Sequence, residues 1–411
     1  GGLIEVGGSW QNSDASVRQA VTTQIEKGAV LDASAIRNGD GGEIVVWSDI
    51  SNAESVTSVA GTLLAKGGRK EGDGGDIETS GFELDVAGID IDATARKGTQ
   101  GLWLLDPFDY TLGSSEAMAI HIALEGGNDV TISTALSTNS VGSGSVAASG
   151  SESATAGTIT VDSAIVVSGS GSGKLSLIAD KDIQVNAALQ NLSGKGDLTL
   201  SSKTGVAINS GGSIDWDGGS DGLISISASD SGGLSGEGTL YIEGGTVAVS
   251  QAQDTVFVGV YKGDGIFRKS GAGALTLSGN RSSFSGTIEP NEGTLKILDT
   301  GSISLTTPVT KTSSGASSFV LETPSNISID ENIVSNVSGA SLSVQAKTAA
   351  SIVIEDGHSI VSKGGDIVLW SNSGDVKSGV GEHFIRLDAG TTLNSDGGNI
   401  VLAGGIDSNS D

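Results

Sequence analysis

A glycine corner followed by a short alternating strand recurs along this chain, and that recurrence limits its fold more than any other feature. Gly39–Asp49 reads GDGGEIVVWSD and Lys363–Asn372 reads KGGDIVLWSN, with looser copies at Gly72–Ser80 (GDGGDIETS) and Asp396–Gly405 (DGGNIVLAGG). Between such corners lie strand-length runs, among them Leu3–Val6, Ala29–Ile36, Glu43–Trp47, Asp76–Ser80, Phe82–Val86 and Ile89–Ala95. Strands resume over Thr158–Val167 and continue as Lys174–Ala179, Asp182–Leu189, Asp197–Ser202, Gly205–Asn209, Leu223–Ser229 and Thr239–Ser250. A unit this small cannot bury its own apolar face, so copies must stack to build a continuous core. Parallel strands need long crossovers, and a solenoid supplies one full coil between stacked neighbours. The expected fold is therefore all-β, a right-handed parallel β-helix.

Composition supports this and removes other classes. The 411 residues include 64 Gly and only 4 Pro, without the every-third-residue glycine of collagen. Apolar residues make up 36% and alternate along the chain, which argues against disorder. With 49 acidic against 22 basic residues and a net charge of -27, phosphate-based binding of nucleic acid and adsorption to anionic lipid are disfavoured. No apolar run approaches the roughly 20 residues of a membrane-spanning helix, so no membrane insertion is expected. No cysteine is present, which excludes disulfides and thiolate sites. The chain opens on Gly1 with no charged-then-apolar leader; the expectation is a processed chain or an internal fragment whose targeting signal lies upstream.

One stretch departs from strand periodicity. Ser114–Leu124 (SSEAMAIHIAL) places Ala117, Ile120 and Leu124 on one helical face, after Pro107 and before Gly126 and Gly127, and predicts a single short helix lying as a side element or cover on the strand body. Ser137–Gly157, rich in Ser, Gly and Ala, reads as a surface loop. The resulting division is 1–112 dense coils, 113–157 helix and loop, and 158–411 continuing β-helix.

Four motifs in order, GGLIEVGGSW (Gly1–Trp10), GAVLDASAIRNGDGGEIVVWSD (Gly28–Asp49), AKGGRKEGDGGDIETSGFELDV (Ala65–Val86) and GLWLLDPFDYTL (Gly101–Leu112), resemble filamentous-haemagglutinin-like exoproteins of Gram-negative two-partner secretion systems. A second stretch, Gly263–Leu298, resembles the passenger-associated β-strand repeat of autotransporters through Lys269, Gly271, Gly273, Leu275, Leu277, Ser278, Gly279, Asn280, Phe284, Gly286 and Gly293. The Asn-Pro signature of the family's amino-terminal secretion domain is missing, so the match is to the fibre region that follows it. The resemblance implies a secreted protein of the outer cell surface, exported through a partner outer-membrane pore by way of an upstream domain. It also implies roles in adhesion, aggregation or biofilm matrix.

Candidate chemistry is sparse. Asp90 with Asp92, and Asp215, Trp216 and Asp217, offer paired carboxylates, the second set with a ring that could stack on a sugar of an exopolysaccharide or host glycan. A polysaccharide-acting β-helix enzyme is the alternative function they would support, but no Lys or Arg stands near either set in sequence to move a proton. His121, His358 and His383 are scattered and share no metal-ligand spacing. The acidic glycine turns at Gly39 and Gly72 are candidate calcium loops, although the tandem nonapeptide repeat of such sites is absent. No cofactor is otherwise expected, and no enzyme. Trp47 and Trp370 share one repeat position and should occupy equivalent places on two coils, while Trp103 should plug an end of the core. Sequons occur at Asn191, Asn280, Asn326 and Asn336. A third reading is a self-assembling filament or sheath.

Overall fold

The computed structural model describes residues 1–134, 157–168, 173–192, 195–216, 222–281, 283–373 and 383–405. Strands cover 48% of the chain, one helix is present among the described residues, and the strands stack in parallel as a β-helix. The chain divides into two compact units, Gly1–Ser225 and Ile226–Asp411. The helix thus lies inside the first unit, and the boundary falls within the stretch 158–411.

In the first unit, each coil begins with a strand of one long sheet: Leu3–Val6, Glu43–Trp47, Asp76–Gly81, Leu102–Pro107, Asp129–Ser133, Leu175–Ala179 and Leu198–Ser202 are hydrogen-bonded in that order. Register sets Ile44 on Ile77, Trp103, Val130, Leu175 and Leu198, all fully or almost fully buried. Each such side chain contributes on the order of 2 kcal/mol when removed from water, and the stack repeats that gain at every coil. Trp103 is a member of this column rather than a plug at its end, and its Nε1–H donates to Thr79 Oγ1 at 3.0 Å.

The helix, Ser114–Gly126, runs two residues beyond the predicted end and is closed by Gly127 at φ 96°, whose N–H bonds the Ala123 and Leu124 carbonyls. Ala117, Ile120, Ala123 and Leu124 are buried against the strands Asp90–Asp92, Asp129–Ser133 and Ile165–Val167. It therefore forms the third side of its own coil, filling the gap between the sheet that ends at Asp90–Asp92 and the sheet that begins at Ile165–Val167. The expectation of a side element laid on the strands is corrected: the helix is part of the wall. Asn128 fixes it, donating to Ala123 O at 2.9 Å and accepting from Ala93 N at 2.7 Å. Of the tract Ser137–Gly157, only Gly157 falls within the described residues.

Strand alternation fails on the outer face of this unit. Glu43–Trp47, Asp76–Gly81 and Leu102–Pro107 are buried on both faces because residues 7–21 fold over them. A 3-10 turn at Trp10–Asn12, with Gln11 and Asn12 at φ 45° and 50°, brings Trp10 into a cluster with Val45, Trp47, Ile50 and Leu104. Trp47 is fully buried there, and its Nε1–H donates to Gln19 Oε1 at 3.0 Å.

The longest strands of the second unit keep strict alternation. Ser317–Thr323 and Leu342–Thr348 bury every second residue, and Leu295, Phe319, Val344 and Ile367 stack in one inward column. Glycines of the passenger-like repeat sit where coils touch: a Cβ on Gly279 would lie 1.6 Å from the Gly259 carbonyl oxygen. Lys269 of that repeat points inward and is fully buried, its ammonium donating to the carbonyls of Ser270, Gly271 and Glu292. Burial lowers its pKa to about 8. Lys311 is likewise buried and donates to Asn291 O.

Trp370 lies on Ile367–Ser371, which pairs with Leu342–Thr348 and Ile400–Gly404. That sheet is not the one holding Glu43–Trp47. Trp370 faces outward and is half-buried, with the Lys347 ammonium 5.1 Å from its ring centroid. The expected equivalence of Trp47 and Trp370 therefore fails in sheet and in burial, although both rings point away from the inward column.

Candidate functional site

A charged groove of the first unit is built by three stacked turns. The short strands Val30–Asp32, Thr62–Leu64 and Asp90–Asp92 pair in register, with Leu31, Leu63 and Ile91 on one face and Asp32, Leu64 and Asp92 on the other. Each strand then leads into a glycine-rich turn, residues 33–42, 65–75 and 93–101. Backbone bonds tie each turn to the next: Ala35 N to Lys66 O (2.9 Å), Lys70 N to Arg37 O (2.8 Å), Gly67 N to Thr94 O (3.0 Å) and Gly74 N to Thr99 O (3.0 Å). Gly72 at φ 125° has its Cβ position 1.9 Å from Gly39 O, so neither strain nor space permits a side chain there.

This stacking gathers residues far apart in sequence. Arg37, Lys66, Arg69, Lys70, Arg96 and Lys97 come from the three turns, against Asp40, Glu71 and Asp73 within them. A groove of about 730 Å³ is lined by three of these cations, Lys66, Arg69 and Arg96, together with Asp32, Ser34 and Asp92 among others. Lys66 Nζ lies 2.5 Å from Asp92 Oδ2. Burial tends to raise the Asp92 pKa, but the Lys66 ammonium and the Thr94 hydroxyl and amide outweigh it and hold the carboxyl below its ordinary value. Asp32 is lowered by hydrogen bonds from the Ser34 hydroxyl and amide.

The first carboxylate pair is thus placed as predicted, Asp90 and Asp92 flanking the inward Ile91. Contrary to the sequence expectation, basic groups are at hand: Lys66 arrives from the neighbouring coil, and Arg96, four residues after Asp92, lines the same groove. The glycine-turn carboxylates are used differently from a calcium loop: Asp40 Oδ1 accepts from Asp73 N and Asp73 Oδ1 from Thr99 N, each at 2.8 Å. Among the described residues, no three acidic or histidine side chains are grouped to hold a metal.

The second carboxylate set does not form a sugar platform. Trp216 is fully buried and cannot present its ring to a ligand, Asp215 accepts from Gln190 Nε2 at 2.8 Å, and Asp217 lies outside the described residues. His121 sits 3.9 Å from Glu125, on the helix. Of the sequons, Asn191 is buried while Asn280, Asn326 and Asn336 are exposed.

No family model matches the chain, and no curated protein matches it.

Two buried carboxyls were not foreseen. Glu78 and Asp106 occupy outward positions of their strands, yet are fully or almost fully buried under the folded-over segment. Glu78 accepts from Gln11 N and Ser80 Oγ, each at 2.9 Å, whereas Asp106 Oδ2 has no partner. Burial, reinforced by the neighbouring Asp106, raises the Glu78 pKa well above the usual range, and burial alone pushes Asp106 up to about 8. The sequence signal was available in the apolar outward residues Val45, Trp47 and Leu104, which are out of place on a solvated face.

Proposed function

We propose that this chain is a segment of an extracellular bacterial structural adhesin, a β-helical stalk that holds acidic polysaccharide along its side. The observation that carries this reading is the groove along the three stacked turns, which sets Lys66, Arg69 and Arg96 together on a chain of net charge -27. A polyanion neutralised by several such groups releases its counterions, a gain that grows with the number of contacts, and many weak contacts along one wall add up through avidity. The family resemblance of Gly1–Leu112 supports a secreted, surface-exposed setting and export through a partner outer-membrane pore. An enzymatic use of the same groove is less favoured, because Asp92 is held ionised by Lys66 and so is a charge partner, not a proton donor.

The test is chromatography of the purified protein on immobilised heparin or alginate with a salt gradient. The wild type should be retained at low salt, and the triple variant Arg69→Glu, Arg96→Glu, Lys97→Glu should lose at least tenfold in affinity while keeping its β spectrum. Equal retention of both proteins would remove the reading.

A further inference from the structure

The wall of the first unit is broken at one place on its second side. Glu83–Asp85 is the last strand of one sheet and Tyr110–Leu112 the first of another, and the two are not paired. The strands that lead into them, Asp76–Gly81 and Leu102–Pro107, are paired in register. Phe82 and Phe108 leave that pair side by side, with ring centroids 4.5 Å apart and planes 21° from parallel. A cleft of about 300 Å³ opens there, lined by both rings and by Glu83, Asp109, Tyr110 and Glu116, the last from the first turn of the helix.

The unmet hydrogen-bonding groups at this break are of both kinds. Tyr110 is 5% exposed and its hydroxyl has no partner; burial, and then the charges of Glu116 and Asp85, keep it protonated by raising its pKa. Glu83 N bonds Ser55 O in the coil before, and because parallel ladders alternate direction residue by residue, the N–H and C=O of Leu84 point the other way, toward the break. These donors need acceptors. The Glu83 carboxylate and Glu116, whose Oε2 accepts a long bond from Ser115 Oγ at 3.5 Å, can take further donors, while Asp109 Oδ1 already accepts from Gly157 N and Thr158 N at 2.8 and 2.9 Å and serves as wall.

We propose that this cleft binds one neutral sugar ring of a glycan. A pyranose supplies an apolar C–H face for the phenylalanines, hydroxyl donors for Glu83 and Glu116, and hydroxyl acceptors for Tyr110 and the Leu84 amide. A uronic or sulfated sugar is repelled by the carboxylates, which separates this site from the cationic turn stack. An alkylammonium ion answers the carboxylates but offers no acceptor to the tyrosine or the amide.

Saturation-transfer NMR with the methyl glycosides of glucose, galactose, mannose and N-acetylglucosamine tests this, with methyl glucuronide and choline as controls. At least one neutral glycoside should show transfer to its ring C–H protons. The signal should fall at least fivefold in Phe108→Ala and in Glu116→Gln, and severalfold in Tyr110→Phe, with glucuronide silent. Glu116→Gln, a change in the first turn of the helix, keeps the test open if Phe108→Ala misfolds. The triple charge reversal at Arg69, Arg96 and Lys97 should leave the signal intact, so failure at one site is distinguishable from failure at the other. No transfer to any neutral glycoside, a signal unchanged in Glu116→Gln and Tyr110→Phe, or choline displacing the sugars would each overturn the proposal.

Discussion

Glu43–Trp47 and Ile367–Ser371 carry nearly the same sequence and live in different environments. In the first, Val45 and Trp47 face away from the column but are sealed by Trp10, Ile50 and Leu104. In the second, Val368 and Trp370 face outward and remain partly exposed. The local string specifies a strand and a glycine corner in both. What differs is a layer supplied by residues 7–21, which converts a solvated face into a second core. The comparison teaches that in a stacked-coil protein the alternation of a strand reports its fold, while its breakdown reports what is laid against it.

The largest test of that contrast is truncation of each tryptophan. Trp47→Ala should cost about 3–5 kcal/mol in equilibrium unfolding, as for other large buried rings. Trp370→Ala should cost about 1 kcal/mol, the scale of its partly exposed packing and its contact with Lys347. Similar losses at the two sites would mean that the covering layer contributes nothing.

An effect of similar size separates the sealed face by pH. The folded-state pKa values of Glu78 and Asp106 are raised, Asp106 to about 8, so the folded state holds protons that the unfolded chain releases near pH 4. Stability from these groups is fully present below the ordinary carboxylate range and is lost as pH rises through about 8. Asp106→Asn should leave the melting temperature nearly unchanged at pH 4 and stabilise the protein by on the order of 5 kcal/mol at pH 8. A pH-independent difference between wild type and variant would show that Asp106 is ionised and solvated in the fold.

The coil repeat, the parallel stacking and the helix near Ser114 were legible because each rests on local periodicity and glycine placement. The inward placement of Ile44, Ile77 and Ile91, on their respective sheets, follows from alternation alone. The sheet of Trp370 was not legible, since two sheets of one coil accept the same string and only pairing partners separate them. Nor was the cationic groove, because Lys66 meets Asp92 across a coil, a separation that no motif spacing records. Trp216 misled for a related reason: its flanking aspartates suggested a solvated turn, while the coil carried the ring inside.

The helix at Ser114–Gly126 alters how such a body can be assembled. A strand added to a parallel stack is templated by the edge already formed, and it offers a fresh edge to the next. The helix satisfies its backbone internally and offers no such edge, so along the third side the copying stops at Asp90–Asp92 and must restart at Ile165–Val167. Entry into this coil rests on one ladder, Asp76–Gly81 with Leu102–Pro107, and the next coil pairs on both Leu102–Pro107 and Tyr110–Leu112. A body built coil by coil therefore crosses into the helical coil on a single seam, with the register held by one side until a second ladder joins it.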